Sequence, residues 1–146
     1  MTFASESSPG TGRNEQDADA WYNKGVQLLD SGSSEEAIKC FDKALEINPQ
    51  DADASINKGR SLHNLARFDE AIECCDKALE IDPNHANAWS KRAEVEDQLG
   101  RKQDAVRSYR EVIELASPEH DQVIQYAKQR LHELEKNDCK FLARVS

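Results

Sequence analysis

Apolar and small residues recur at spacings of four and three along most of the chain. Trp21, Gly25 and Leu28 form one such set, and Ala37, Phe41 and Ala44 form the next. Each fits one face of a helix with 3.6 residues per turn. Ser31-Gly32 breaks the pattern between them. Ser33-Ser34-Glu35-Glu36 then reads as a capping box. In that motif the Ser33 hydroxyl accepts from an early amide, and Glu36 reaches back to the cap amide. Asn48-Pro49 stops the second helix, because proline disfavours helix at the residue before it. Residues 18–51 therefore read as two helices joined by a short turn.

The same pattern returns downstream. Residues 52–85 align on 18–51 at an offset of 34, with eighteen of the 34 positions identical. Asp42–Ile47 and Asp76–Ile81 share one sequence, and Pro49 has its counterpart in Pro83. A more divergent third unit keeps Ala86, Ala88, Trp89, Ala93, Leu99, Ala105, Tyr109 and Val112 in register, while Pro118 falls one residue late. Small residues occupy Gly25, Gly59 and Ala93 on the first helices and Ala37, Ala71 and Ala105 on the second. A side chain of one methyl or less lets two helix axes approach closely, and Leu at Gly25 would overpack that contact by roughly 1–3 kcal/mol. Val123, Ala127, Leu131 and Leu134 place one more helix over residues 120–136.

Composition narrows the function. The 146 residues are 38% hydrophobic, 32% charged and 6% aromatic, with a net charge of −9. That balance suits helices with one packed stripe and a wet remainder. An acidic surface repels phosphate backbones and anionic lipid headgroups, so neither nucleic acid nor a membrane is the expected partner. No run of 18 apolar residues suggests a membrane span. The N-terminus lacks the basic start and apolar core of an export signal. A cytoplasmic setting is expected. Residues 1–17, rich in Ser, Gly and acids, read as a disordered tail. Residues 137–146 read as a flexible tail whose Phe141-Leu142 pair either frays or docks on the array or a neighbour.

Catalytic and metal chemistry have no foothold. There is no phosphate-binding Gly-rich loop, nucleophile elbow or zinc-protease motif. His63, His85, His120 and His132 are scattered and read as surface residues. Cys74 and Cys75 are adjacent on a helix, so their side chains diverge by about 100° and chelate poorly. Cys40 repeats at Cys74, which points to packing. Neither a cofactor nor a metal is expected, and the chain does not read as an enzyme.

The period and the residues carrying it resemble the tetratricopeptide repeat, a 34-residue helix–turn–helix unit. Its aromatic, small, Ala, aromatic, Ala and Pro positions match Trp21, Gly25, Ala37, Phe41, Ala44 and Pro49. In the second unit they fall on Ser55, Gly59, Ala71, Cys75, Ala78 and Pro83. In the third they fall on Trp89, Ala93, Ala105, Tyr109, Val112 and the displaced Pro118. The middle unit, with Ser55 and Cys75 for aromatics, is expected to pack less tightly. The resemblance implies an all-α fold, a right-handed superhelical array of helix-turn-helix hairpins with about seven helices. Units at 18–51, 52–85 and 86–119 would be closed by a capping helix at 120–136.

The family's first helices line a concave side that holds a peptide or partner protein. By resemblance, the binding residues would be Tyr22, Asn23, Val26, Leu29, Ile56, Asn57, Arg60, Asn87 and Lys91. This surface is expected to be apolar at its N-terminal end and polar and acidic at the far end. Arg60 or Lys91 would hold a carboxylate. An adaptor or co-chaperone-like scaffold is the leading expectation. The alternatives are a structural, self-assembling array, with weak self-association left open, and a binder of chaperone C-terminal tails. Family members of the last kind grip two carboxylates with a clamp of Lys, Asn and Arg. Here its positions hold Tyr22, Val26, Asn57, Asn87 and Lys91, a degenerate set.

Overall fold

A computed structural model describes residues 15–117 and 121–145, with side chains described for 16–117 and 121–136. Most of the expected N-terminal tail, with residues 118–120 and 146, lies outside the described residues. Among the described residues seven helices follow one another: α1 (Glu15–Asp30), α2 (Ser34–Ile47), α3 (Ala52–Asn64), α4 (Phe68–Ile81), α5 (Ala86–Gln98), α6 (Lys102–Leu115) and α7 (Asp121–Val145). No strand occurs among the described residues. The molecule is an all-α array of helical hairpins: α1 packs on α2, α3 on α4 and α5 on α6, and each second helix packs on the next hairpin. No helix among the described residues is long and apolar enough to cross a membrane.

The three hairpin turns share one backbone solution. The Ser33 amide donates to the Leu28 carbonyl at 2.8 Å and the Gly32 amide to Leu29 at 3.1 Å. Arg67 to Leu62 with Ala66 to His63, and Arg101 to Glu96 with Gly100 to Asp97, repeat those two bonds. This is the Schellman arrangement, which needs a left-handed residue just past the helix. Gly32, Ala66 and Gly100 supply it at φ +89°, +61° and +78°. The turn also explains why the expected capping box does not form. Ser33 sits at φ −91°, ψ +68° and makes no side-chain cap bond. Its amide already closes the preceding helix, and Arg67 and Arg101 begin their helices from the same geometry, also without a side-chain cap. The side-chain cap lies elsewhere: Asp51 Oδ1 accepts from the Ala54 amide at 3.1 Å and starts α3.

Small residues set the helix approaches as expected. A Cβ added at Gly25 would lie 2.7 Å from the Phe41 ring, and one at Gly59 would lie 3.3 Å from the Ala71 carbonyl oxygen. Between hairpins, Val95 packs with Leu62, Ala71 and Ile72, and Ala88 packs with Ile56, Ala78 and Leu79. A buried carboxylate ties the third hairpin together. Glu96, 2% exposed, accepts from Arg92 Nε at 2.9 Å and from the Ser108 hydroxyl at 2.7 Å. Arg92 also pairs with Asp76 at 2.9 Å and so reaches back to α4. The middle hairpin, expected to be looser, leaves neither Ser55 nor Cys75 open: they are 4% and 0% exposed.

Ala127 and Leu134 of α7 close the C-terminal core over Ala93, Tyr109 and Val112, with Val123 packed alongside. The backbone of α7 continues to Val145, past the boundary expected at 136, because no Pro or Gly interrupts residues 121–145. At the other end α1 starts at Glu15, inside the segment read as a tail.

Candidate functional site

The first helices of the hairpins and α7 share one face, and a continuous hollow runs along it. Its main cavity, about 610 Å³, is lined by Tyr22 and Val26 of α1, Asp53, Ile56, Asn57 and Arg60 of α3, and Asn87, Ser90, Lys91 and Glu94 of α5. Glu94 also borders a second cavity of about 500 Å³ with His63, Asp97, Gln98, Tyr126, Gln129, Arg130 and Glu133. Tyr22 and Asp53 border a third beside Asp19, Asp51, Asp82 and His85. These residues converge because each first helix turns one side toward its own hairpin partner and the adjacent side toward the hollow.

A chain of hydrogen bonds orders the main cavity. Arg60 Nη1 donates to Asn57 Oδ1 at 3.2 Å, and Asn57 Nδ2 donates to the Tyr22 hydroxyl oxygen at 2.9 Å. Burial, and then the neighbouring Asp53 carboxylate, push the Tyr22 hydroxyl above its ordinary range. Like any tyrosine the phenol is protonated at neutral pH, and with its oxygen accepting from Asn57 it keeps a proton to donate. Lys91 Nζ donates to Glu94 Oε1 at 2.8 Å and lies 3.4 Å from His63 Nδ1. His63 Nε2 meets Gln98 Oε1 across the same wall. At the third cavity, His85 Nε2 lies 2.9 Å from Asp53 Oδ1.

A charged lock on the capping helix borders the second cavity. Arg130 donates to both Asp97 oxygens, at 2.8 and 3.0 Å, and to Glu133 at 2.7 Å. The Tyr109 hydroxyl donates to Asp97 at 3.0 Å. The Asp97 hydrogen bond chiefly holds the Arg130 guanidinium above its ordinary range. Burial, and then the Asp97 charge, do the same for the Tyr109 phenol.

Of the sequence-predicted residues, Tyr22, Val26, Ile56, Asn57, Arg60, Asn87 and Lys91 meet in the main cavity. Asn23 is exposed but is not part of its lining. Leu29 is a correction. It is 7% exposed and packs on Ala37 and Phe41 inside the first hairpin, where an apolar side chain finds more surface than the hollow offers. Ile56, 6% exposed, shows the cavity only an edge and buries its bulk against Ala78, Leu79 and Ala88. The expected polarity gradient is therefore not found. The large hydrophobic left exposed among the described residues is Tyr126, at 46%, at the C-terminal end.

Sequence reasoning missed Tyr126 and Arg130. A signal was present. Asn23, Asn57 and Lys91 are spaced by 34, and Tyr126 follows Lys91 by 35, the same one-residue slip shown by Pro118 after Pro83. Carrying the register past that slip brings α7 into the hollow. Among the described residues no group of three His, Cys, Asp or Glu side chains is placed to hold a metal ion.

Paired helices stacked about a shared open face define a helical-hairpin repeat protein. Models of the tetratricopeptide repeat match residues 28–95 and 86–118. The chain belongs to the tetratricopeptide repeat family.

Solved structures share the fold. One is the first tetratricopeptide domain of Spaghetti (RPAP3), bound to the HSP90 peptide SRMEEVD. It matches with a TM-score of 0.76 at 23% identity, over 86% of this chain and 98% of that one. PcrH, in complex with the chaperone binding region of PopD, matches at 0.82 and 21% identity, over 87% and 97%. The Yersinia enterocolitica type III secretion chaperone SycD, in complex with a peptide of the translocator YopD, matches at 0.79 and 19%, over 82% and 93%. No curated protein matches the chain.

Proposed function

We propose that this chain is a protein-interaction module, adaptor or co-chaperone-like, that holds an extended peptide segment of a partner protein in its concave groove. One observation carries the reading. The main cavity combines the neutral amides of Asn57 and Asn87 and the Ser90 hydroxyl with the Tyr22 ring and Val26. Amides supply both donors and acceptors, which suits the unpaired backbone of an extended segment. The ring and the branched side chain supply apolar contact. Structural neighbours that carry peptides of HSP90 and of a translocator support the same use of the fold.

The ligand differs from the two-carboxylate tails of the chaperone-binding clamp. Asn57 occupies its clamp position, but Tyr22, Val26 and Asn87 stand where the clamp has Lys, Asn and Lys. Lys91 is matched by Glu94. Selection of random dodecapeptides on the full chain, followed by amide chemical-shift mapping of the best binder, tests the reading. Shifts are expected at Tyr22, Asn57, Ser90 and Lys91. Shifts confined to α2, α4 and α6, or no binder at 100 µM (on the order of −5.5 kcal/mol), would overturn it.

A further inference from the structure

Among the described charges facing the groove, Arg60 differs from the others. Lys91 is matched to Glu94, and Arg130 to Asp97 and Glu133. The hydrogen bond of the Arg60 guanidinium goes to the neutral side chain of Asn57. That bond aims the guanidinium, and the Asn57 bond to Tyr22 anchors it in turn. A guanidinium holds a carboxylate through parallel, charge-assisted hydrogen bonds that are shorter and stronger than neutral ones. The cavity thus carries one cation that no carboxylate of its own is shown to engage.

The second feature is Tyr126. It projects from the capping helix into the adjoining cavity, 46% exposed. Its ring stands against Tyr109 with centroids 6.2 Å apart and planes at 67°, an edge-on contact that fixes its direction. Tyr109 is fully buried and bonded to Asp97, and Asp97 holds Arg130 on the same helix. An exposed aromatic ring held in a fixed direction can take another apolar or aromatic side chain by stacked or edge-on contact.

We propose that the groove reads its ligand at these two seats: Arg60 takes a single acidic side chain, and Tyr126 takes a large apolar or aromatic one. The proposal rests on the groove-binding reading above and names the chemistry of the segment. The acid belongs to an internal residue and not to a chain end, because the hollow continues on both sides of Arg60. On one side it runs through Tyr22 and Asp53, and on the other through Glu94 to Tyr126. A chain ending at Arg60 would leave one of those stretches empty. Two steps between neighbouring helices, α3 to α5 to α7, at roughly 8–10 Å each, match roughly five to six extended residues at about 3.3 Å apiece.

The probe is a dodecapeptide of Gly, Ser and Asn, acetylated and amidated, with one Glu and one Phe five residues apart. Its affinity for the full chain is measured by calorimetry beside Glu→Gln and Phe→Ala versions of the peptide. A version with adjacent Glu and Phe, and one whose sole carboxylate is a free C-terminus, complete the set. The protein variants are Arg60→Gln and Tyr126→Ser, both at exposed positions. On the native chain each peptide change is expected to weaken binding about tenfold, the worth of 1.4 kcal/mol. The Glu change is expected to lose its effect in Arg60→Gln only, and the Phe change in Tyr126→Ser only. Equal penalties in native and variant proteins, indifference to spacing, or preference for the free C-terminus would overturn the proposal. A selected peptide that shifts groove amides but ignores both variants sinks this inference alone. A failure to find any groove-binding peptide sinks the groove reading with it.

Discussion

The middle hairpin and its two neighbours use the same turn and second helices of equal length, yet they are held in different ways. The outer hairpins each enclose a large ring: Phe41 sits against Leu29 and Ala37, and Tyr109 against Ala93, Ala105 and Val112. The middle hairpin has Cys75 at that position. Its apolar residues work mainly across boundaries, Ile56 and Leu79 toward Ala88, and Leu62 and Ile72 toward Val95. The middle hairpin is flanked by hairpins on both sides and can borrow its core from them, whereas the first has one neighbour and the third has a single capping helix, α7, on its far side. In arrays of this kind stability divides into intrinsic and nearest-neighbour parts, and the side chains show which part dominates where.

The largest effect should come from the ring. Tyr109→Ala is expected to cost about 3–5 kcal/mol, as for other buried aromatics. Cys75→Ala should cost only about 1 kcal/mol, since it removes one heavy atom from a buried site. Urea denaturation of the full chain measures both. Comparable losses would show that the middle hairpin carries its own core after all.

Next in size is the close approach beneath the rings. A methyl at Gly25 would meet the Phe41 ring at 2.7 Å, and one at Gly59 would meet backbone and Cys74 at 3.3 Å. Gly25→Ala is expected to destabilise by about 1–3 kcal/mol through overpacking. Gly59→Ala should cost less, because a smaller shift suffices and Ala gains about 1 kcal/mol over Gly in helix propensity. Placing Gly25→Ala in a Phe41→Leu background should relieve much of its cost, a coupling that a double-mutant cycle reads directly. Additive costs would mean that the ring is not the obstacle.

The turns sharpen the comparison at a smaller scale. Ala66 holds φ +61° where the other hairpins have glycine. A Cβ in the left-handed region costs roughly 1–2 kcal/mol, and part of that is returned because alanine has less freedom than glycine to lose on folding. Ala66→Gly should therefore stabilise the chain by about 0.5–1 kcal/mol, and Gly32→Ala and Gly100→Ala should each destabilise it by about 1 kcal/mol. A rise in thermal midpoint for the first variant and falls for the other two are the readout.

The fold was legible because packing imposes a period, and a period survives divergence. Helices, turns and the small residues at Gly25, Gly59 and Ala93 all follow from it. What escaped depends on where individual side chains turn. Leu29, His63 and Asp97 share one repeat position, but only the polar pair faces the hollow, since Leu29 folds onto Phe41. The Ser33 capping box matched the sequence rule, but its backbone amide was already engaged by the turn before it. Tyr126 was hidden by a one-residue slip at Pro118, after which the 34-residue register no longer pointed to α7. Lys91 and Glu94 stand three apart on α5, a spacing that favours an ion pair, but only the coordinates show that the pair forms.

The last expected effect concerns two buried thiols of the middle hairpin, Cys75 at the ring position and Cys74 beside it. Burial pushes Cys74 up to about 11, with the Lys58 charge opposing, and Cys75 up to about 12, with Cys74 itself adding to the rise. An unfolded thiol titrates near about 8.5. A group whose folded value is raised contributes its full stability below the unfolded value and loses it as pH climbs toward the folded one. Stability should therefore hold between pH 7 and 8 and decline from about pH 9 upward. Cys74→Ser/Cys75→Ala should flatten that decline. At pH 8 the same protonation leaves almost no thiolate at Cys74 or Cys75 in the folded chain, and the thiolate is the reactive form. Iodoacetamide followed by peptide mapping should mark Cys74 and Cys75 only as fast as the chain opens, with rates rising together in urea. Rapid labelling of either thiol in the folded chain would mean that the middle hairpin opens locally, and that its neighbours do not hold it shut.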